Sequence, residues 1–123
     1  GLTELLALAD STLLALERSC LVNPATRMVR NTALISHVSV AGAEDVSGVE
    51  SLTTRSWRGA TKTPILDMDS LIPRLPPSLA NLDNFEGMAF GPALPDGGRS
   101  LLVMSDDNFR ATQQTVFLLF RIR

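Results

Sequence analysis

Two stretches of the chain read alike. Ala9-Asp10-Ser11-Thr12-Leu13-Leu14-Ala15-Leu16-Glu17-Arg18 can be set against Pro95-Asp96-Gly97-Gly98-Arg99-Ser100-Leu101-Leu102-Val103-Met104-Ser105-Asp106, with two residues inserted in the second copy. Gly1-Leu2 is aligned with Gly87-Met88. A repeat of about 88 residues is the signature of an architecture assembled from similar supersecondary units. At this length the chain holds one unit and part of the next.

The second copy settles what kind of unit it is. Pro95-Asp96-Gly97-Gly98 is a strong turn signal that no helix can pass through. The apolar runs on either side, 85–90 and 100–105, are therefore read as two strands of a hairpin. The first copy, 3–8 and 12–18 around Ala9-Asp10-Ser11, is rich enough in Leu and Ala to make one helix, but the repeat argues for a hairpin here too. Further strands are expected at 28–40, where Arg30, Thr32, Leu34, Ser36, Val38 and Val40 share one side, and at 62–68 and 115–122. Residues 41–52 suit a short helix or a loop. In 71–82 the missing N–H groups of Pro73, Pro76 and Pro77 argue against regular structure and predict a surface loop.

The count is four strands and then three. This predicts an all-β chain of antiparallel four-stranded blades, the last two blades of a β-propeller, with units at about 1–69 and 83–123 joined by a proline-rich loop, 70–82. The missing strand of the last blade is what a ring closed by the N-terminus would supply. A start at Gly1 without Met, and an alignment that puts the counterpart of Glu86 before Gly1, both lead us to expect a fragment of a larger domain.

Composition narrows the partners. With 45% hydrophobic and 20% charged residues the chain has enough apolar surface to fold. Eleven basic against thirteen acidic residues, with no basic stripe, argue against nucleic acid. The apolar runs are far shorter than the ~20 residues that span a bilayer, so no membrane span is expected. A lone Cys20 excludes an internal disulfide and a Cys-based zinc site. Unpaired sheet edges predict self-association.

Gly1-Leu2-Thr3-Glu4-Leu5, Leu14-Ala15-Leu16-Glu17-Arg18, Asp45-Val46-Ser47-Gly48-Val49-Glu50-Ser51-Leu52, Asp83-Asn84-Phe85-Glu86-Gly87-Met88-Ala89-Phe90-Gly91 and Leu102-Val103-Met104-Ser105-Asp106-Asp107-Asn108-Phe109 together resemble the C-terminal part of the phytase-like β-propeller domain, the family called "esterase-like activity of phytase". The resemblance covers nearly the whole chain and about the last third of the family domain. It implies a secreted protein, periplasmic or extracellular, and a hydrolase of phosphate or carboxylic esters acting on a small-molecule substrate.

Within that frame the acidic residues are the candidates. Glu86 begins a strand that would line a propeller channel, where a carboxylate can bind a hard cation, act as general base, or simply cap the strand. Asp106-Asp107-Asn108 presents three oxygen-bearing side chains in succession, suited to Ca²⁺ or equally to an Asx turn. The expected catalytic residues are Glu86 and Asp106, and the expected metal ligands Glu86, Asp106, Asp107 and Asn108, with Ca²⁺ as the cofactor. Arg18 and Glu17, at the matching strand end of the first unit, are expected to bind substrate, Arg18 by gripping an anion, or else to form only an inter-blade ion pair. Emergence of Glu17, Arg18, Asp106 and Asp107 on one face is expected.

Other residues are less promising. His37 has no metal-sharing partner and reads as a packing residue. No Gly-x-Ser-x-Gly is present. Trp57 with Arg55, Arg58 and Lys62 is either an anion contact or an exposed loop. The alternative function is a propeller that binds a ligand or a protein without turnover.

Overall fold

The seven strands expected from alternation and turn chemistry all form, in two antiparallel sheets. The computed structural model describes residues 1–80 and 82–122; Asn81 of the proline-rich segment and Arg123 at the end of the second unit lie outside the described residues. The first sheet contains β1 (Leu2–Ala9), β2 (Thr12–Val22), β3 (Val29–Ser39) and β4 (Thr61–Asp67) in sequence order. The second contains β5 (Asn84–Phe90), β6 (Arg99–Asp106) and β7 (Phe117–Ile122), also in order. Residues 41–52 form a loop of turns rather than a helix.

Period-two alternation determines how the sheets meet. On β2, Leu14 and Leu16 face the second sheet, and with Ala33 and Ile35 of β3 they enter one core with Phe85, Met88, Leu101 and Val103. Leu16 and Val103 are fully buried, and each contributes about 1.5–3 kcal/mol by leaving water. The two sheets approach each other through β1 and β2 against β5. Farther out, β3 and β4 are packed by the chain that follows β4.

That following segment corrects the expectation for 71–82. It contains two 3-10 helices, Met68–Arg74 and Pro77–Leu79, and Met68, Leu71, Ile72 and Leu75 pack on the core. Proline removes donors but leaves acceptors, and a 3-10 turn needs few donors: Leu75 N–H donates to Ile72 O, and Leu79 N–H to Pro76 O. Asp67 Oδ1 caps the first helix by accepting from Asp69 N–H at 3.0 Å.

The repeat is real, but its register differs from the alignment of Gly1 with Gly87. Each inner strand carries a bulge against its neighbour, between Leu2 and Glu4 in β1 and between Phe85 and Gly87 in β5. Glu4 pairs with Leu16 as Gly87 pairs with Met104, and Leu2 pairs with Glu17 as Phe85 pairs with Ser105. The structural counterpart of Glu86 is therefore Thr3, and that of Arg18 is Asp106. The sequence alignment slipped because β1 and β2 are joined by the two residues 10–11, whereas β5 and β6 are joined by the longer loop 91–98.

Candidate functional site

The bulge in β5 is the starting point. A bulge adds an unpaired residue and turns its side chain out of the regular alternation. Here the extra residue is Glu86, and its carboxylate lies across the seam between the sheets. Arg18 Nη2, from β2, donates to Glu86 Oε1 at 3.1 Å. Asn84 Nδ2, two residues upstream, donates to the same oxygen at 2.7 Å. Asn84 is buried, and its strand neighbour on β6 is Asp106. One end of the seam thus gathers Arg18, Asn84 and Glu86, with Asp106 beside Asn84 on the neighbouring strand.

The cation in this group is not saturated. The Arg18 side chain is 27% exposed, and its Nε is buried with no hydrogen-bond partner among the described residues. A guanidinium with an unused N–H next to a carboxylate can donate to a further anionic oxygen. Arg18 itself is held in place by strand pairing, since its backbone N–H donates to Gly1 O at 2.8 Å.

The other expected site residues lie elsewhere. Glu17 is adjacent to Arg18 in sequence, but alternation turns it to the opposite side of the first sheet. There both of its carboxylate oxygens accept from Lys62 Nζ at 2.7 Å. Its surroundings are a separate polar hollow of about 450 Å³ with Ser19, Thr32, Asp67 and Asp69. Asp107 and Asn108 sit in the turn beyond β6. Asp106 Oδ1 accepts from Asn108 N–H at 3.1 Å, and Asp107 Oδ1 from Phe109 N–H at 2.9 Å. Asn108 Nδ2 donates to Gln113 Oε1 at 3.2 Å. Asn108 and Phe109 both have positive φ, and Phe109 is fully exposed. These are the backbone-directed bonds of an Asx turn, and they leave the second carboxylate oxygen of each aspartate without a hydrogen bond among the described residues.

A calcium ion takes six to eight oxygen ligands. Among the described residues no three His, Cys, Asp or Glu side chains are grouped so as to hold a metal ion. Glu86, Asp106, Asp107 and Asn108 cannot complete such a shell by themselves.

The tryptophan loop is internally neutralised. Arg55 stacks over the Trp57 ring at 3.6 Å and donates to Glu44 Oε2 at 2.7 Å, while Arg58 N–H donates to Glu44 Oε1 at 2.8 Å. The Arg55 guanidinium, followed by the Arg58 amide, holds the Glu44 carboxyl below its ordinary range. His37 is half-buried in β3 opposite Leu14 and Thr63, a packing position.

Asn84 is the residue that sequence reasoning did not single out. The signal was present in Asn84-Phe85-Glu86-Gly87, where two polar residues flank a core phenylalanine. What the sequence could not show is that the bulge brings Glu86 onto Arg18, 68 positions away, with Asn84 bonded to the same carboxylate oxygen.

No helix among the described residues is long and apolar enough to cross a membrane. No curated protein and no solved structure matches the chain. A family model described as "Phytase-like: Esterase-like activity of phytase" matches residues 1–109, a span that includes Arg18, Asn84, Glu86 and Asp106. The chain belongs to this phytase-like family.

Proposed function

We propose that the two sheets are adjacent blades of a β-propeller and that the Arg18–Glu86 seam is part of an ester-hydrolysing site. The observation that carries this reading is the pair itself: a carboxylate displaced by a bulge onto a guanidinium that keeps one N–H unpartnered, in a chain of the esterase-like family. Arg18 binds the anionic oxygen of a phosphate ester, or the oxygen that becomes anionic as a carboxylic ester is attacked. Glu86 Oε2, without a hydrogen-bond partner among the described residues, takes the proton of the attacking water. Asn84 is a positioning residue that orients Glu86. The leaving alcohol recovers a proton from solvent. Calcium enters only as a variable of the assay, since Glu86, Asp106, Asp107 and Asn108 are not grouped around one point; no step depends on it.

The propeller part of the reading is supported by the outer surfaces. The side of the second sheet that faces away from the shared core is open and exposes Met104, Phe117 and Leu119, as a blade with a neighbour on that side requires.

The rival reading, a non-catalytic binding module, is favoured by one feature: Glu86 Oε1 already accepts two N–H donors, as structural carboxylates do. Hydrolysis of an aryl acetate and an aryl phosphate, with and without added Ca²⁺, separates the two. In the protein carrying the complete ring, Glu86→Gln is expected to reduce kcat by roughly 10²-fold or more with the fold retained. The same assay on the 123 residues alone is expected to show no turnover. If the complete protein hydrolyses neither ester under any of these conditions, the enzyme reading fails and the binding module stands.

A further inference from the structure

Beyond Arg18 the first sheet narrows to two strands. β2 and β3 go on pairing from Arg18–Ala33 through Cys20–Asn31 to Val22–Val29, past the ends of β1 and β4. Directly paired residues share a face, so Cys20, Asn31, Val22 and Val29 continue the face that carries Leu14, Leu16 and Arg18. On this extension the face loses its cover: Cys20 is exposed, and Val22 and Val29 are each 52% exposed.

A hollow of about 590 Å³ lies here, with Val22, Met28 and Val29 of the hairpin tip on one side and Ile72 and Ala80 of the 3-10 segment on the other. Val22 is about 13 Å from Arg18 along the strand, at ~3.3 Å per residue. The far wall is also tied to the site, because Ala80 caps the second 3-10 helix and the chain runs on from it to Asn84 and Glu86. The cation on the rim, Arg30, is bonded to Asp69, so the charged group at the hollow is already neutralised.

The inner end of the hollow is polar. Asn31 lines it, is only 9% exposed, and makes no side-chain hydrogen bond among the described residues. A buried amide left without a partner is unfavourable, and a ligand atom that meets it removes that penalty. Arg18, one residue pair away on the same face, has its buried Nε in the same condition. Two unpartnered polar groups thus stand in a row and give way to apolar side chains. In the propeller reading the blade that belongs on this face is the second sheet itself, so a further blade would cover the opposite face, where Glu17 and Lys62 lie.

We propose that the hollow takes the apolar part of an amphiphilic ligand whose head lies at Arg18. A hydrocarbon chain or aryl group sits against Val22 and Val29, and the oxygens of a carboxylate, phosphate or ester head meet Arg18 Nε and the Asn31 amide. For the hydrolytic site this names the substrate as an ester with a sizeable apolar group on one side. The inference rests on that reading only in taking Arg18 as the polar end of a ligand site, and it does not need turnover.

Titration calorimetry of butyrate and octanoate into the protein carrying the complete ring tests it. Octanoate is expected to bind at least ~10-fold more tightly than butyrate, since each methylene buried is worth about four-fold. Val22→Gln, at an exposed position where circular dichroism is expected to match wild type, should weaken octanoate several-fold and leave butyrate unchanged. Arg18→Met and the isosteric Asn31→Asp should weaken both ligands alike. The proposal is overturned if octanoate binds no more tightly than butyrate, if Val22→Gln leaves the difference between them intact, or if neither head variant weakens binding. Octanoate bound in this way by a protein that hydrolyses no ester supports the ligand site and removes the enzyme reading. Equal kcat/KM for aryl acetate and aryl octanoate, with no octanoate bound, overturns the ligand site and leaves the enzyme reading standing.

Discussion

The Arg18–Glu86 pair is expected to hold the two sheets together, and a double-mutant cycle measures by how much. At 3.1 Å the bare attraction between the two charges is about 5 kcal/mol at an effective dielectric constant near 20. Most of that is offset by loss of hydration and of side-chain freedom. Arg18 and Glu86 are 27% and 36% exposed, between the surface pairs that contribute ~0–1 kcal/mol and the buried ones whose breakage costs about 3–5. A coupling energy of about 1–2 kcal/mol follows. Glu86→Gln alone is expected to cost about 1–3 kcal/mol, since it leaves a partly buried guanidinium that already has an unpartnered Nε facing a neutral group. Arg18→Met is expected to cost less, because Asn84 still donates to Glu86. The assay is urea unfolding of wild type, both single variants and the double variant, followed by far-UV circular dichroism. Because the pair is partly shielded, about 1 M salt should reduce the coupling without abolishing it. The slope of the transition is informative too: a lower slope in Glu86→Gln would mean that the sheets have begun to unfold separately. A coupling below about 0.3 kcal/mol, the level at which independent sites add, would refute the view that this pair organises the seam.

Three further outcomes are expected. Leu16→Ala, at a fully buried position where the sheets meet, should lower the unfolding free energy by about 2–5 kcal/mol in the same urea assay; a loss under about 1 kcal/mol would mean that Leu16 is not in the common core. Gly91→Ala should cost about 1–3 kcal/mol, because a Cβ there would come within 2.5 Å of Ser100 Oγ and 3.1 Å of Leu119 Cδ1, and Ser100 is buried and bonded to Pro92 O; an unchanged midpoint would show that both side chains move aside freely. The loop around Trp57, the chain's single tryptophan, should respond to acid through Glu44. The Glu44 pKa in the folded protein lies below its ordinary value of 4.5, so its stabilisation is complete above that pH and is lost as pH falls through the lower, folded value. Trp57 fluorescence is therefore expected to be flat from pH 8 to about 5 and to shift red only below 4.5, and Glu44→Gln should remove the transition. A midpoint above 4.5, or the same curve in the variant, would disprove the assignment.

The strands were legible because their signals are local. Pro95-Asp96-Gly97-Gly98 excludes a helix, and the likeness of 9–18 to 95–106 extends the hairpin to a Leu/Ala stretch that would otherwise be ambiguous. The extra length of β2 and β3, which pair with each other from Arg18–Ala33 to Val22–Val29 beyond the ends of β1 and β4, was not legible, since nothing in Cys20-Leu21-Val22 marks where a neighbouring strand stops. The proline-rich segment was misread because donor loss was weighed and the apolar residues between the prolines were not: Leu71, Ile72 and Leu75 are drawn onto the core regardless of ladder bonds. For the site, the residue types were visible but not their grouping. Glu17 and Arg18 are neighbours in sequence yet lie on opposite faces, whereas Arg18 and Glu86 are far apart and touch.

The bulge explains how a repeated fold yields a site that is not repeated. Both inner strands turn one residue out of the ladder at the same place, and both second strands carry a charged residue one step past the pairing that flanks it, Arg18 after Glu17 and Asp106 after Ser105. The backbone thus provides two equivalent positions, each with a charged side chain and a bulge side chain. In one, arginine from the first sheet meets glutamate from the second. In the other, aspartate stands where arginine did, and threonine where glutamate did, with Thr3 Oγ1 donating to Leu16 O at 3.1 Å within its own sheet. Packing of the apolar faces depends only on the alternation, which both units share, so the two frames can be alike while their chemistry differs. An anion would be drawn to Arg18 and repelled from Asp106 at the equivalent position of the second sheet, and that difference arises from two side chains on an otherwise equivalent frame.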